Sequence, residues 1–333
     1  TLSIEEQDYF ELVMETAERG LREFMQNEPL TVEIQEIEQP DVILWCIWAI
    51  QQYAKEAGKE SCLKLYGDFL RDMIAYIENG KHPNLFLHTN GLLYAEGKNK
   101  AITWMNGMVD GKPVNPRSGY IVEFNALWYN DIKFVAWLFS DTSETEYTAH
   151  LEEMASLCKD AFVATFLNNY GYLYDYVDGN MVDWSVRPNM ILAAAVDYSP
   201  LEQSQKKSVV DICTRELLTP KGLRSLSPKS GGYTPVCVGD QDHRTRVYHQ
   251  GTAWPWLGGF YLEACLKLYK RTRLSFVERQ LIGYEDEVTS HCLGTIPEYF
   301  DGNPPYSGRG AISFAMNVGE VLRTLALLEK YKY

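Results

Sequence analysis

Segments with helical hydrophobic periodicity follow one another along nearly the whole chain, and this succession constrains the fold more than any other feature. Some are apolar almost all round, such as residues 42–50 (Val-Ile-Leu-Trp-Cys-Ile-Trp-Ala-Ile), which predicts burial on both sides. Others, such as residues 60–78 and 201–218, keep one polar face. This alternation predicts an all-α fold with an inner ring of helices inside an outer ring.

About ten helices are expected, and strand signals are few and short, as at residues 31–37. Ser3 and Glu6 form a capping box that predicts the start of the first helix. The other helices are predicted over residues 41–57, 60–78, 123–139, 145–168, 188–196, 201–218, 252–270, 275–292 and 312–331. No linker rich in Pro, Gly and Ser divides the chain, so residues 1–333 are predicted to form one domain.

Charge and cysteine content narrow the possible partners. The net charge of −14 repels phosphate backbones and anionic lipids, so neither nucleic acid nor a membrane is an expected partner. Seven cysteines without a C-x-x-C spacing exclude a complete disulfide framework and favour a reducing, cytoplasmic location. His243 and His249 lack the cysteine pair of a zinc site, and no metal or other cofactor is predicted. A neutral substrate fits best.

Four long loops carry most of the aromatic, charged, Gly and Pro residues outside the helices. They cover residues 84–122, 171–187, 219–251 and 293–311. Loops of this length inside a compact domain are usually functional. Each leads into a buried helix, so we expect all four to meet at one end of the fold and form one pocket.

Polar motifs lie in these loops and at the starts of the helices that follow them, and the stretch from 103 to 129 is bracketed by tryptophan. Each is compatible with a sugar-binding pocket, because indole faces stack on sugar rings, and equally with core packing or loop capping. The motifs are Thr-Trp-Met-Asn at 103–106, Pro-Val-Asn-Pro-Arg at 113–117, Glu-Phe-Asn-Ala-Leu-Trp-Tyr at 123–129, Arg-Pro-Asn at 187–189, Gly-Leu-Arg-Ser-Leu at 222–226, Tyr-His-Gln-Gly-Thr-Ala-Trp-Pro-Trp at 248–256 and Ile-Pro-Glu at 296–298.

In this order and spacing, from about residue 40 to the end, the motifs resemble the C-terminal glucosidase domain of glycogen debranching enzymes. The resemblance implies an (α/α)6 barrel and inverting amylo-α-1,6-glucosidase activity on the branch points of a glycogen-like α-glucan. It implies sugar contacts from Trp104, Arg117, Glu123, Asn125, Trp128, Arg187, Tyr248, His249, Gln250, Trp254 and Trp256. Of Trp104, Trp128, Trp254 and Trp256, about half are expected to be plain core.

Two departures from the family pattern bear on activity. The family opens its barrel with a helix carrying Gly-Arg-Asp-Thr, which is absent here. Residues 1–3 resemble the chain just after that helix, so we expect the first helix to be missing and a further domain to precede Thr1. The family's general acid is an Asp after Trp-Met, where this chain has Asn106.

Inverting hydrolysis needs one carboxylic acid at the leaving oxygen and one carboxylate that activates water. Glu298, which follows Pro297 in a Gly/Pro-rich loop, is the predicted base. Asn106 cannot donate a proton, so Asp110 remains a candidate acid, while Glu123 is interpreted rather as a hydroxyl-binding residue. A non-catalytic or impaired α-glucan-binding domain is the alternative. A sugar epimerase, using His249 and His291, is a third hypothesis.

Overall fold

The computed structural model describes residues 4–32, 36–97 and 99–333, with side chains from residue 8 onward. Within these residues the fold is mostly helical. Its α-helices are α1 (Ile4–Met25), α2 (Pro40–Ala57), α3 (Lys59–Glu78), α4 (Val122–Phe139), α5 (Thr145–Phe166), α6 (Ile191–Ala195), α7 (Gln203–Glu216), α8 (Gln241–Val247), α9 (Pro255–Tyr269), α10 (Leu274–Ile282) and α11 (Ala315–Lys332). The expected capping box of Ser3 and Glu6 lies outside the described side chains.

Local sequence explains where several helices begin and end. Pro40 occupies the first turn of α2, where its missing N–H costs nothing. Gly58 has a φ of 94° and separates α2 from α3, a backbone conformation that glycine adopts without strain. Glu202 and Gln205 form a reciprocal capping box at the start of α7. The helix expected over 275–292 is interrupted, since α10 ends before Gly283 and a single π-helical turn follows.

The four segments expected to be loops contain short strands that join them in pairs. The strands are β1 (Leu85–Leu87), β2 (Leu93–Ala95), β3 (Met108–Val109), β4 (Lys112–Pro113), β5 (Gly119–Ile121), β6 (Tyr176–Asp178), β7 (Met181–Val182), β8 (Leu218–Thr219), β9 (Gly222–Arg224), β10 (Ala253–Trp254), β11 (Tyr299–Phe300) and β12 (Gly308–Arg309). One antiparallel sheet has the order β1-β2-β5-β6-β7, and a second has the order β12-β11-β10-β9-β8. Residues 31, 32, 36 and 37 of the expected strand are not in a strand, and 33–35 lie outside the described residues.

Buried and half-exposed helices alternate along the chain. Nearly every side chain of α4 and α9 is buried, and all five residues of α6 are, whereas α5, α7 and α10 bury one face or less. Helix contacts run from α2 through α4 and α6 to α9, and α9 also packs against α11, which buries only four of its 18 residues. The half-exposed helices pack outside them, with α5 against α4 and α7 against α6 and α9. The core therefore lies among the apolar helices.

The seven cysteines are free thiols buried among these elements, as small apolar side chains are. No helix of the described chain has both the length and the hydropathy to cross a bilayer.

Candidate active site

A cavity of about 480 Å³ brings together loop residues from distant parts of the sequence. Asn106 comes from the segment before β3, Tyr248 follows α8, and Glu298 precedes β11. Further lining residues are Gly107, Met108, Gln241, Arg244, Thr245, Tyr299, Gly310 and Ala311. Among the described residues that line it, Glu298 is the single carboxylate.

Both carboxylate oxygens of Glu298 are held by hydrogen bonds. The Tyr248 hydroxyl donates to Oε1, and the Ala311 backbone N–H donates to Oε2 over 2.9 Å. Burial, followed by this bond to Glu298, raises the pKa of the Tyr248 hydroxyl, which therefore remains a donor. Gly310, with a φ of 73°, lies so close that a Cβ there would be 2.2 Å from Oε2. The carboxylate is oriented while its side chain stays partly exposed.

The backbone of Glu298 is fixed by a residue on another helix. Asn317, fully buried near the start of α11, donates from Nδ2 to the carbonyls of Pro297 at 2.7 Å and Glu298 at 2.6 Å. Its Oδ1 accepts from the Trp256 backbone N–H at 3.0 Å, at the start of α9. One amide thus connects two helix starts to the loop that carries the carboxylate.

The two other predicted catalytic residues lie in different surroundings. Asn106 is exposed on the cavity wall. Asp110 occupies the tip of the β3–β4 hairpin with a φ of 51°, and its side chain is 81% exposed. It pairs with Arg246 over 3.4 Å and is not among the residues that line the cavity.

Arg117 and Glu123, predicted to bind sugar, bond to one another inside the protein. The guanidinium of Arg117 forms two bonds to the Glu123 carboxylate, one of them 2.7 Å long, and lies 2.8 Å from Oδ2 of Asp175. Asp175 accepts from Asn189, whose Oδ1 accepts from the Trp104 indole, each at 2.7 Å. Burial raises the pKa of Asp175 to about 6, although Arg117 opposes this.

Arg187, Gln250 and Asn125 are likewise engaged with the protein. Arg187 donates to the carbonyls of Ser225 and His249, to Asn115 and to Oε1 of Gln250, at 2.9–3.2 Å. Burial lowers its pKa. The Asn125 amide bonds both backbone groups of Leu93 and so fastens β2 to α4.

The predicted aromatic residues divide between core and cavity. Trp128 and His249 are fully buried and Trp254 is 2% exposed, and the His249 ring stacks on Trp254 at 5.3 Å. Burial lowers the pKa of His249 well below its usual value, so the ring is neutral. Trp104, which is partly exposed, and Trp256, which is only 3% exposed, line a second cavity, an apolar groove of about 360 Å³. The other groove residues come from α2, α9 and α11, and are Asp41, Trp45, Trp48, Ala49, Phe260, Met316 and Glu320.

The family model for amylo-alpha-1,6-glucosidase matches residues 29–323. The chain belongs to this family. The glycogen debranching enzyme of Saccharomyces cerevisiae is 26% identical over 227 residues, which cover 54% of this chain and 15% of that protein. The chain thus spans a small part of that relative. Family membership gives the chain a glycosidase-type function.

Two solved structures from Thermus thermophilus share the fold of this amylo-alpha-1,6-glucosidase family member. An uncharacterised conserved protein is 14% identical with a TM-score of 0.61, over 91% of this chain and 79% of that one. A GH63 mannosylglycerate hydrolase, solved in complex with glucose, is 14% identical with a TM-score of 0.59, over 88% and 75%.

Sequence reasoning missed several residues that build the cavity of this glucosidase-family chain. Asn317, Gly310 and Ala311 hold Glu298, and α8 supplies Gln241, Arg244 and Thr245. Gly310 lies in the same predicted loop as Glu298, and a glycine there could have indicated that the backbone approaches another group closely. Nothing separated Asn317 from other polar residues near a helix start. Among the described residues, no cluster of three or more His, Cys, Asp or Glu is arranged to hold a metal ion.

Proposed function

We propose that this protein is an inverting glycoside hydrolase that releases glucose from α-1,6 branch points of a glycogen-like α-glucan, with Glu298 as the base. The observation that carries this proposal is the Glu298 carboxylate, oriented through both oxygens in a cavity of about 480 Å³. The family match and the similarity to yeast glycogen debranching enzyme support the choice of substrate. We propose that residues 1–333 form a single glycosidase domain and that this domain acts in the cytoplasm.

The held carboxylate suits the activation of water. Each oxygen of Glu298 accepts one protein hydrogen bond and has a lone pair left for a water O–H. As the water oxygen attacks the anomeric carbon, its proton passes to Glu298 and the bond to the leaving oxygen breaks. The leaving oxygen takes a proton from the acid, and the configuration inverts.

Position 106 is proposed as the place of the general acid. Asn106 lines the cavity with Glu298, whereas Asp110 and Glu123 do not. An amide keeps the shape of a carboxylic acid but has no proton to transfer. We therefore expect the rate of hydrolysis with Asn106 to be about 10²–10⁴-fold lower than with a carboxylic acid at this position. Because Glu298 is the single carboxylate among the described lining residues, an impaired enzyme or a glucan-binding domain is the second candidate.

We also propose that the helices belong to an (α/α)6 barrel. The contacts that run from α2 through α4, α6 and α9 to α11 support an inner ring.

Glucose release from a limit dextrin with single α-1,6 glucose stubs tests the function. We expect slow release of β-glucose, identified by NMR before mutarotation. Glu298→Gln should lower the rate by a further factor of about 10²–10⁴ and retain glucan binding. Asp242→Asn is the matched control, because it also replaces a carboxylate by an amide but at an exposed position of α8, and it should keep the wild-type rate. Retained turnover in Glu298→Gln would refute the assignment of the base.

A further inference from the structure

The helix α8 contributes one polar face to the cavity that contains Glu298. Gln241, Arg244 and Thr245 line it, and their spacing of three and four residues places them on the same side of the helix. Arg246 on the same helix instead pairs with Asp110, outside the cavity lining. The helix therefore presents an amide, a guanidinium and a hydroxyl to whatever occupies the cavity.

Contacts on both sides of α8 fix this face relative to the proposed catalytic positions 106 and 298. The Cys237 thiol, just before α8, donates to the Arg244 carbonyl at 3.5 Å and contacts the Tyr299 hydroxyl at 3.2 Å, next to Glu298. On the other side, a Cβ at Gly107 would lie 3.1 Å from the Thr245 carbonyl. The segment after Asn106 thus approaches α8 closely. These contacts place α8 between positions 106 and 298.

The chemistry of the face suits sugar hydroxyls. Arg244 donates to the Gly239 carbonyl at 2.9 Å and to Oε1 of Gln241 at 2.7 Å, which uses two of its five N–H groups. The guanidinium is therefore oriented before a ligand arrives. Met108, which lines the same cavity and is 41% exposed, offers an apolar surface to a sugar ring.

Exposure indicates which part of a glucan meets this face. Gln241 and Arg244 are exposed, whereas Glu298 is partly buried, so α8 forms the open rim of the cavity. A terminal glucose must reach the carboxylate, while the rest of the polymer continues into solvent across the rim. We infer that the α8 face binds the leaving chain of the branched glucan and thereby selects branch points over small α-glucosides. This inference depends on the proposed function.

Two substrates separate leaving-chain contacts from the reaction itself. A limit dextrin has a leaving chain, while α-glucosyl fluoride loses only fluoride. We expect Arg244→Ala to lower the ratio of kcat/KM for dextrin to kcat/KM for the fluoride about tenfold, and Thr245→Val to lower it about threefold. Arg246→Ala, on the same helix, is the matched control with an unchanged ratio. Equal losses on both substrates, or no loss with Arg244→Ala, would overturn the inference.

A binding measurement tests the face without turnover. In the Glu298→Gln background, titration calorimetry with a maltooligosaccharide that carries one α-1,6 glucose stub should show about fivefold weaker binding for Arg244→Ala and no change for Arg246→Ala. If the wild type releases glucose but Arg244→Ala binds normally, the inference fails and the proposed function stands. If no glucose is released yet binding depends on Arg244, the hydrolase proposal fails and the glucan-binding face stands.

Discussion

Two polar clusters come from motifs that are alike in composition, yet their side chains have different surroundings. The cavity cluster consists of Asn106, Tyr248 and Glu298, which stand on a wall open to solvent. The buried cluster consists of Arg117, Glu123, Asp175, Arg187 and Asn189, each less than 9% exposed. In the cavity cluster, Glu298 keeps lone pairs that can accept from water. In the buried cluster, the Arg117 guanidinium forms ion pairs with the carboxylates of Glu123 and Asp175.

This difference follows from the cost of burying charge. A buried guanidinium or carboxylate is stable only when paired and hydrogen-bonded, so the buried cluster must be satisfied by the protein. Arg117 holds Glu123 of α4 against Asp175, next to β6. Arg187 fastens the irregular segment between β7 and α6 to the loop after α8. These residues position the loops; the cavity cluster is where a substrate can displace water.

The largest expected effect concerns the missing acid. Asn106→Asp should raise glucose release from limit dextrin by about 10²–10⁴-fold, the usual contribution of general acid catalysis. With α-glucosyl fluoride the gain should be small, since fluoride leaves without protonation. The two rates, measured side by side, report whether position 106 meets the leaving oxygen.

Asp110→Asn is the companion variant for that measurement. Its carboxylate is exposed at a hairpin tip, so dextrin hydrolysis should not change. A fall in Asp110→Asn together with no gain in Asn106→Asp would show that the acid comes from the hairpin instead.

The buried cluster should respond in stability. Arg117→Met leaves Glu123 and Asp175 buried without their cation, and we expect the free energy of unfolding to fall by about 3–5 kcal/mol. Glu298→Gln should change it by less than about 1 kcal/mol. Urea denaturation measures both. Adding Glu123→Gln to Arg117→Met should recover part of the loss, because paired groups are not additive. A stable Arg117→Met with lost glucan affinity would instead make Arg117 a ligand residue.

The helical part of the fold was predictable because its periodicity is strong. The apolar run within α2 and the segment that became α9 were both predicted as buried helices. The structure confirms both helices and the burial of α9, whereas Trp45, Trp48 and Ala49 of α2 stay partly exposed along the apolar groove. The helix α8 was missed because six of its seven residues, Gln241 to Arg246, are polar and show no apolar period. Strands of two or three residues are too short to show alternation, so the two sheets were missed as well.

The site was predictable in part. The sequence motifs led to Asn106, Tyr248 and Glu298, and the structure brings these three to one cavity. The sequence did not reveal that Arg117 and Glu123 pair with each other. Their six-residue separation suggests no contact, and the pair forms only because β5 leads directly into α4. Residue type identifies polar chemistry, but burial decides whether protein or ligand satisfies it.

A smaller effect is expected from the tyrosine that orients the base. Tyr248→Phe removes the hydrogen bond to Oε1 of Glu298 and leaves the Ala311 bond to Oε2. We expect kcat for dextrin to fall about tenfold, with a smaller change in KM. Tyr233→Phe loses a hydroxyl bonded to Asn303 and serves as the control. Equal kinetics for the two variants would mean that Tyr248 does not orient the base.

The smallest effect concerns Asp41, which lies in the first turn of α2 beside the buried cluster. Burial, and then the negative charge of Glu123, raises the pKa of Asp41 from 3.8 to about 7. Between these values the folded chain keeps a proton that the unfolded chain has lost. Stability from this group is therefore complete below about pH 4 and is lost as the pH rises through 7.

Asp41→Asn should remove this dependence, because an amide resembles the protonated acid at every pH. Between pH 5 and pH 8 the variant should gain about 1 kcal/mol over the wild type, less than the full shift implies because Asp41 is partly exposed. Urea denaturation at both pH values gives the free energy of unfolding of each protein. The difference between the two proteins cancels the titration of groups that both share, such as Asp175. A difference that stays constant with pH would mean that the pKa of Asp41 is not raised in the folded chain, by burial or by Glu123.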